Sequence, residues 1–285
     1  YLILFRLFSF RINKTTKLFL ILEDFFWKVY ESNLHLPYGP TGSGMLFSLA
    51  YVIFLALQNT LLECKTCVVV GNSFAIKHTS LGNVINKYDV VIRLNDAPVR
   101  GFEKDVGNKT TMRIFYPESA TYNPGLHNEE DTLMVLVPFK TNDLRLLKEI
   151  LYDEKRDRRG FWRPPPLLWL VDRSKVRVLD PFFMHQTRKQ LLGNKVRVEK
   201  SLQLSKNFHP TTGFLAVFVA LNYCDVVHLA GFGYPPKRDQ QQPIHYFNHN
   251  TMKAMMNSPH DISHEARVLK KLEDLGVLKY LHPHL

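Results

Sequence analysis

From residue 67 onward, short runs of β-branched and aliphatic residues alternate with stretches of helical spacing. Cys67–Val70 (CVVV) is closed by Gly71, and Asp89–Leu94 (DVVIRL), Thr132–Val137 (TLMVLV), Val176–Leu179 (VRVL) and Asp225–Ala230 (DVVHLA) repeat the theme. Runs this short, with no strict polar alternation, predict strands covered on both faces, as in a parallel sheet with crossover helices. Thr212–Tyr223 (TGFLAVFVALNY) is long and apolar enough for a buried helix. Near the C-terminus Ile262, Ala266, Leu269, Leu272 and Leu275 share one stripe of a helix, and Gly276 supplies its stop. The predicted class is α/β: one domain over residues 61–285 with a mostly parallel central sheet and helices on both faces, preceded by residues 1–60 as a helical N-terminal extension.

A chain of 285 residues can bury a full core, and 45% hydrophobic content rich in Phe and Tyr excludes disorder. The net charge of +11 raises a nucleic-acid reading, but the basic residues are scattered. Their densest cluster, Lys155–Arg159, is short and broken by Asp157, so the charge reads as a solvated face favouring anionic substrates, with no nucleic-acid partner. Met45–Leu57 (MLFSLAYVIFLAL) falls short of the ~20 residues a spanning helix needs and reads as a buried helix. Tyr1–Phe10 reads equally as the end of a membrane anchor or as a packed amphipathic segment. Cys64 and Cys67 have the C-x-x-C spacing of zinc and redox sites, but Cys224 is the one further cysteine, and Cys67 opens a strand rather than a helix.

Ligands of an open parallel sheet bind beyond the carboxyl ends of its strands. Three loops lie there: Gly71-Asn72-Ser73, Asn95–Pro98 and Gly231–Tyr234, which contains Gly233. Small residues admit a ligand close to the backbone, and asparagine donates and accepts at once, which suits the phosphate and ribose of a nucleotide sugar. Taken singly, each asparagine is equally a turn residue. No G-x-G-x-x-G or Walker sequence is present. His209-Pro210-Thr211-Thr212-Gly213 precedes the buried helix, where the threonines serve either as a cap or as an anion site. His245 and His260 lie outside any apolar stripe; near neutrality such a side chain can accept a proton from a sugar hydroxyl. No D-x-D pair and no H-E-x-x-H accompany them, which points to acid–base work with neither metal nor cofactor.

These residues resemble the motifs of the animal sialyltransferases. Cys67–Ser73 (CVVVGNS), Ile85–Pro98 and Asp105–Arg113 resemble the large sialylmotif, and Pro210–Phe214 through Cys224, with Gly231-Phe232-Gly233, resembles the small one. His245–Asn248 (HYFN) resembles the third motif, and His260 followed by Glu265 the very small motif. All four stand in the family's order. Phe115–Ser119 (FYPES) and Gly160–Trp162 (GFW) are similar to the β-galactoside α2,3 branch; Leu22–Trp27 and Leu36–Gly39 extend this toward its lactosamine-acting members.

The resemblance implies a Rossmann-like domain, the sialyltransferase variant of a GT-A-like fold. It implies metal-independent, inverting transfer from CMP-sialic acid to galactose-terminated glycan acceptors. The setting implied is the Golgi lumen, behind a type II membrane anchor. By position, Asn72, Ser73 and Asn95 would contact the donor's phosphate and ribose, and Thr211, Thr212, Gly213 and Gly233 cytidine and the sialyl carboxylate. His245 would meet the phosphate and His260 would be the base; Trp162 would lie near the donor and His209 near the acceptor. A Cys67–Cys224 disulfide would join the large and small motifs. Two other readings keep the fold: another nucleotide-dependent enzyme such as an oxidoreductase, disfavoured by the missing glycine fingerprint, and a non-catalytic carbohydrate- or anion-binding module, which has no need of a base.

Overall fold

The structure is a computed structural model that describes residues 18–20, 64–192, 209–235, 241–255, 258 and 260–283. Among them, eight strands form one sheet: β1 (Phe19–Leu20), β2 (Thr66–Val70), β3 (Val90–Leu94), β4 (Met112–Phe115), β5 (Leu133–Leu136), β6 (Val176–Leu179), β7 (Val226–Ala230) and β8 (Lys279–Tyr280). Their order across the sheet is β1-β6-β5-β4-β3-β2-β7-β8. β2 to β8 run parallel, and only β1 is antiparallel, against β6. The helices are α1 (Gly82–Ile85), α2 (Glu103–Val106), α3 (Thr141–Leu151), α4 (Pro181–Leu192), α5 (Thr212–Tyr223) and α6 (Ile262–Asp274).

Because strand side chains alternate between faces, each apolar run feeds two cores. Cys67 and Val69 of β2 join Val135 of β5 and the residues of α5 on one face. Val68 and Val70 turn to the other face, among Ile76, Ile85 and Val106. Farther along that face, Met134, Leu136 and Val178 meet Leu144, Leu147 and Leu151 of α3. The sheet is thus covered on both sides, as the unalternating runs predict.

Helix α5 is buried almost all round: Leu215, Ala216, Val217, Phe218, Val219 and Ala220 are fully sequestered. At about 1.5–3 kcal/mol for each large apolar side chain, it is a main source of core stability. Its C-cap is Cys224, which is disulfide-bonded to Cys67 on β2 with Cα atoms 6.0 Å apart and a sequence separation of 157. On the chain-entropy estimate, that closure is worth about 4–5 kcal/mol. Cys64 is exposed and outside the bridge, so its spacing to Cys67 makes no pair.

The sequence reading departs from the fold at several points. Phe19–Leu20 lies in the stretch read as a helical extension but pairs with β6 as an edge strand; Met45–Leu57 and Tyr1–Phe10 lie outside the described residues. β4 and β8 were not expected. β4 carries Arg113, which interrupts an apolar pattern, yet this side chain is 3% exposed and donates to the carbonyls of Asn95 at 2.9 Å and Ala97 at 3.1 Å. On α6 the buried stripe is Glu265, Leu269 and Leu272, whereas Ala266 and Leu275 are exposed. Gly276 does end the helix, at φ +70°.

Candidate active site

Connections from β2 run through β3 toward β6, whereas β7 and β8 lie on the other side of β2. The strand order therefore reverses between β2 and β7, and a crevice is expected at their carboxyl ends. There the backbones nearly fuse: Gly71 N donates to Ala230 O at 2.7 Å and Ser73 N to Gly231 O at 2.8 Å. A Cβ on Gly71 would lie 2.3 Å from Gly231 O, so only glycine permits the approach.

Over this junction opens a cleft of about 740 Å³. It is lined by Asn72, Ser73, Asn95, Trp162, Thr211, Thr212, Gly213, Gly233, His245 and His260, ten of the positions singled out by sequence. His209 does not line it; its side chain is 1% exposed. Burial, with the Arg188 guanidinium and the His260 ring nearby, lowers its pKa to about 4.

His260 sits just ahead of α6, which Asp261 caps by accepting from His264 N at 2.9 Å. Its Nδ1 lies 2.7 Å from the carbonyl oxygen of His209. A carbonyl accepts only, so Nδ1 carries the hydrogen and Nε2 keeps its lone pair. Burial holds the ring's pKa below the ordinary 6.5, with the hydrogen bond to His209 opposing, so the base form dominates at neutral pH. The carbonyl is itself held. Glu265 of α6 accepts from Thr211 N at 2.7 Å and from Thr211 Oγ1 at 2.6 Å, while Thr211 Oγ1 accepts from Phe214 N at 3.0 Å. The Thr211 hydroxyl hydrogen is thus committed to Glu265. The N–H groups of Thr212 and Gly213, in the first turn of α5, have no acceptor within the helix.

His245 has the opposite tautomer. Asn248 Oδ1 accepts from Asn250 N at 3.0 Å, which turns its amide nitrogen toward His245 Nδ1 at 3.1 Å. Nδ1 therefore accepts, and Nε2 of the neutral ring carries the hydrogen. The ring stacks on Phe247 at 5.3 Å, and the backbone pairs with Ser73 in an isolated antiparallel bridge. Burial lowers the pKa of His245, against the charge of Asp96.

The asparagines are placed by backbone. Asn72 Oδ1 is buried with no partner among the described residues, so a ligand donor can claim it. Asn95 adopts φ +54°, a left-handed conformation, held by Arg113 on its carbonyl and by Ser119 Oγ donating to its Oδ1 at 3.0 Å. Its amide hydrogens remain for the cleft. Ser73 Oγ accepts from Ala75 N at 3.1 Å, leaving its hydrogen. Trp162 is 74% exposed on the rim, and its loop is tied to Asp96 by Arg163 at 3.3 Å.

The profile of glycosyltransferase family 29 (sialyltransferase) matches residues 26–277. The chain belongs to this family. A CMP-N-acetylneuraminate-beta-galactosamide-alpha-2,3-sialyltransferase 4 of Rattus norvegicus is 47% identical over 274 residues, covering 94% of this chain and 80% of the relative. A type 2 lactosamine alpha-2,3-sialyltransferase of Homo sapiens is 40% identical over 244 residues, covering 83% and 72%. Among solved structures, a mammalian sialyltransferase superposes with a TM-score of 0.63 at 30% identity, covering 79% of this chain and 71% of that one. The family reading made from the four motifs, and the α/β fold it implied, are borne out; the oxidoreductase and binding-module readings fall away.

Sequence reasoning missed part of the family 29 cleft: Tyr116, Glu118, Phe139 and Lys140 also line it. Tyr116 and Glu118 sit in the FYPES run noted only as a branch resemblance. Lys140 follows β5 as Asn95 follows β3, and that strand-end position was the available signal. Among the described residues no group of three or more His, Cys, Asp or Glu is disposed to hold a metal.

Proposed function

We propose that this family 29 enzyme transfers sialic acid from CMP-sialic acid to the 3-hydroxyl of a terminal β-galactose, with inversion, His260 as general base and no metal step. The observation that carries the reading is the His260–His209 contact, which leaves a neutral Nε2 lone pair at the cleft. In the reaction, Nε2 takes the hydroxyl proton as the galactose oxygen bonds to the anomeric carbon. The bond from that carbon to the CMP phosphate breaks, and its electron pair leaves with the phosphate. His245, with a hydrogen on Nε2, supports a role facing that phosphate as it gains charge. The names of the α-2,3-sialyltransferase relatives support the linkage and the β-galactoside acceptor. A buried disulfide is consistent with the oxidising lumen expected of a Golgi enzyme with an anchored, type II arrangement.

The test is CMP release by the purified protein. It should depend on an added β-galactoside; release equally fast without acceptor would instead mark a CMP-sialate hydrolase.

A further inference from the structure

Asn108-Lys109-Thr110 is an N-x-T sequon, the signal for attaching a glycan to an asparagine nitrogen, and the sialyl-transfer reading makes no use of it. The sequon lies in the loop between α2 and β4 and enters β4 at the amino end of the sheet. The cleft opens at the carboxyl ends of the strands, so a bulky group on this loop stands clear of donor and acceptor.

The loop is wrapped around a buried cation. Arg93 of β3 is 2% exposed, and its Nη2 donates to the carbonyls of Val106 at 2.8 Å, Gly107 at 3.1 Å and Lys109 at 2.9 Å. The backbone is pinned from a second side, since Asn86 Oδ1 accepts from Asn108 N at 2.9 Å and from Lys109 N at 3.1 Å. The carbonyls around Asn108 therefore turn inward, while Asn108 itself is exposed and its side-chain amide makes no hydrogen bond among the described residues.

Thr110 faces the other way and is 1% exposed. Its Oγ1 accepts from Arg93 Nε at 2.9 Å, its N–H donates to Glu129 Oε2 at 3.0 Å, and its carbonyl accepts from Thr132 Oγ1 at 2.6 Å. The sequon is read through its hydroxyl as well as its amide, so both must be presented together. In the folded loop they are divided between surface and core.

We propose that Asn108 carries an N-linked glycan, attached before β3 and β4 close over Thr110. The Asn108 amide nitrogen bonds to C1 of an oligosaccharide carried on a lipid diphosphate. The bond from C1 to the diphosphate oxygen breaks, its electron pair leaves with the diphosphate, and the amide gives up one proton. That lipid-linked sugar belongs to the lumen of the endoplasmic reticulum, so the inference rests on the lumenal setting of the proposed function. The Cys67–Cys224 bridge fits the same oxidising compartment. Folding then leaves the glycan on the surface and seals the threonine inside.

To test this, the chain is expressed in animal cells behind a cleavable leader, and the secreted protein is treated with peptide-N-glycosidase in heavy-oxygen water. Mass spectrometry should read Asn108 as heavy-labelled aspartate in most molecules, and Asn108→Gln should lose that glycan. The readout is taken site by site, because Asn13-Lys14-Thr15 is a second sequon, outside the described residues. Unmodified Asn108 in protein whose Cys67–Cys224 bridge has formed would overturn the proposal and leave the transfer reading standing. Glycosylated protein that transfers nothing to galactosides would sink the transfer reading alone. The order of events has its own test. Bacterially made, folded protein and its reduced, carboxymethylated form are each offered to solubilised oligosaccharyltransferase with lipid-linked oligosaccharide. Asn108 should be modified in the unfolded form and stay bare in the folded one; equal modification of both would overturn the proposed order.

Discussion

His260 donates from Nδ1 to the main-chain carbonyl of His209 at 2.7 Å, and this contact decides which ring nitrogen can receive a proton. His260→Ala should lower kcat by roughly 10²–10⁴-fold with little change in CMP affinity. Because burial depresses the His260 pKa, the acid limb of kcat/KM should fall below pH 6.5. Near-native turnover in the variant, or an acid limb at or above 6.5 that vanishes in it, would contradict the assignment.

His245 is held in the complementary tautomer by Asn248. Losing a hydrogen bond to phosphate should cost about 10–100-fold, spread over donor KM and kcat, so His245→Ala should worsen both. Asn248→Ala should do the same more weakly, since it frees the tautomer and keeps the ring. Kinetics that leave the donor KM unchanged in both variants would remove His245 from the phosphate.

Glu265 holds Thr211, two residues from the His209 carbonyl, and gives stability a pH dependence. Burial raises its folded pKa to about 7 from 4.5, against its hydrogen bonds to Thr211, with Asp261 adding to the rise. A raised pKa means that the folded state binds the proton more tightly, so this contribution is full below pH 4.5 and is lost as pH rises through about 7. At about 1.4 kcal/mol per pKa unit, the loss is on the order of 3 kcal/mol. Urea denaturation of Glu265→Gln across pH 4.5–7.5 should show a flatter profile than the wild type; parallel profiles would refute the sign.

Asn95 separates strain from contact. At φ +54°, Asn95→Gly should fold with stability close to the wild type, whereas Asn95→Ala should be less stable by about 1 kcal/mol or more. Both remove the same amide, so the donor KM should rise equally in each. Equal stability of the two variants, by urea midpoint, would show that the left-handed backbone is not kept in solution.

The sequence was most legible where one residue type is forced. Gly71 and Gly231 announce a close backbone approach, and Val68 and Val69 announce a strand covered on both faces. It was least legible where tertiary contacts override local pattern. Arg113 reads as an interruption of a strand, because its partners, the carbonyls of Asn95 and Ala97, lie on another loop. His209 reads as a surface neighbour of the substrate. Its main chain is what the site uses, and no side-chain pattern reports a carbonyl. Lys140 and Glu118 are 22 positions apart and meet only through the order of β4 and β5.

The linkage of the product tests the central claim most directly. Purified protein, CMP-sialic acid and a β-galactoside are incubated with EDTA, and the sialylated product is assigned by NMR. Sialic acid α-linked to O3 of galactose, formed by the wild type and nearly absent with His260→Ala, is the predicted result. A product linked at another hydroxyl, a retained anomeric configuration, or activity that EDTA abolishes and manganese restores would contradict it.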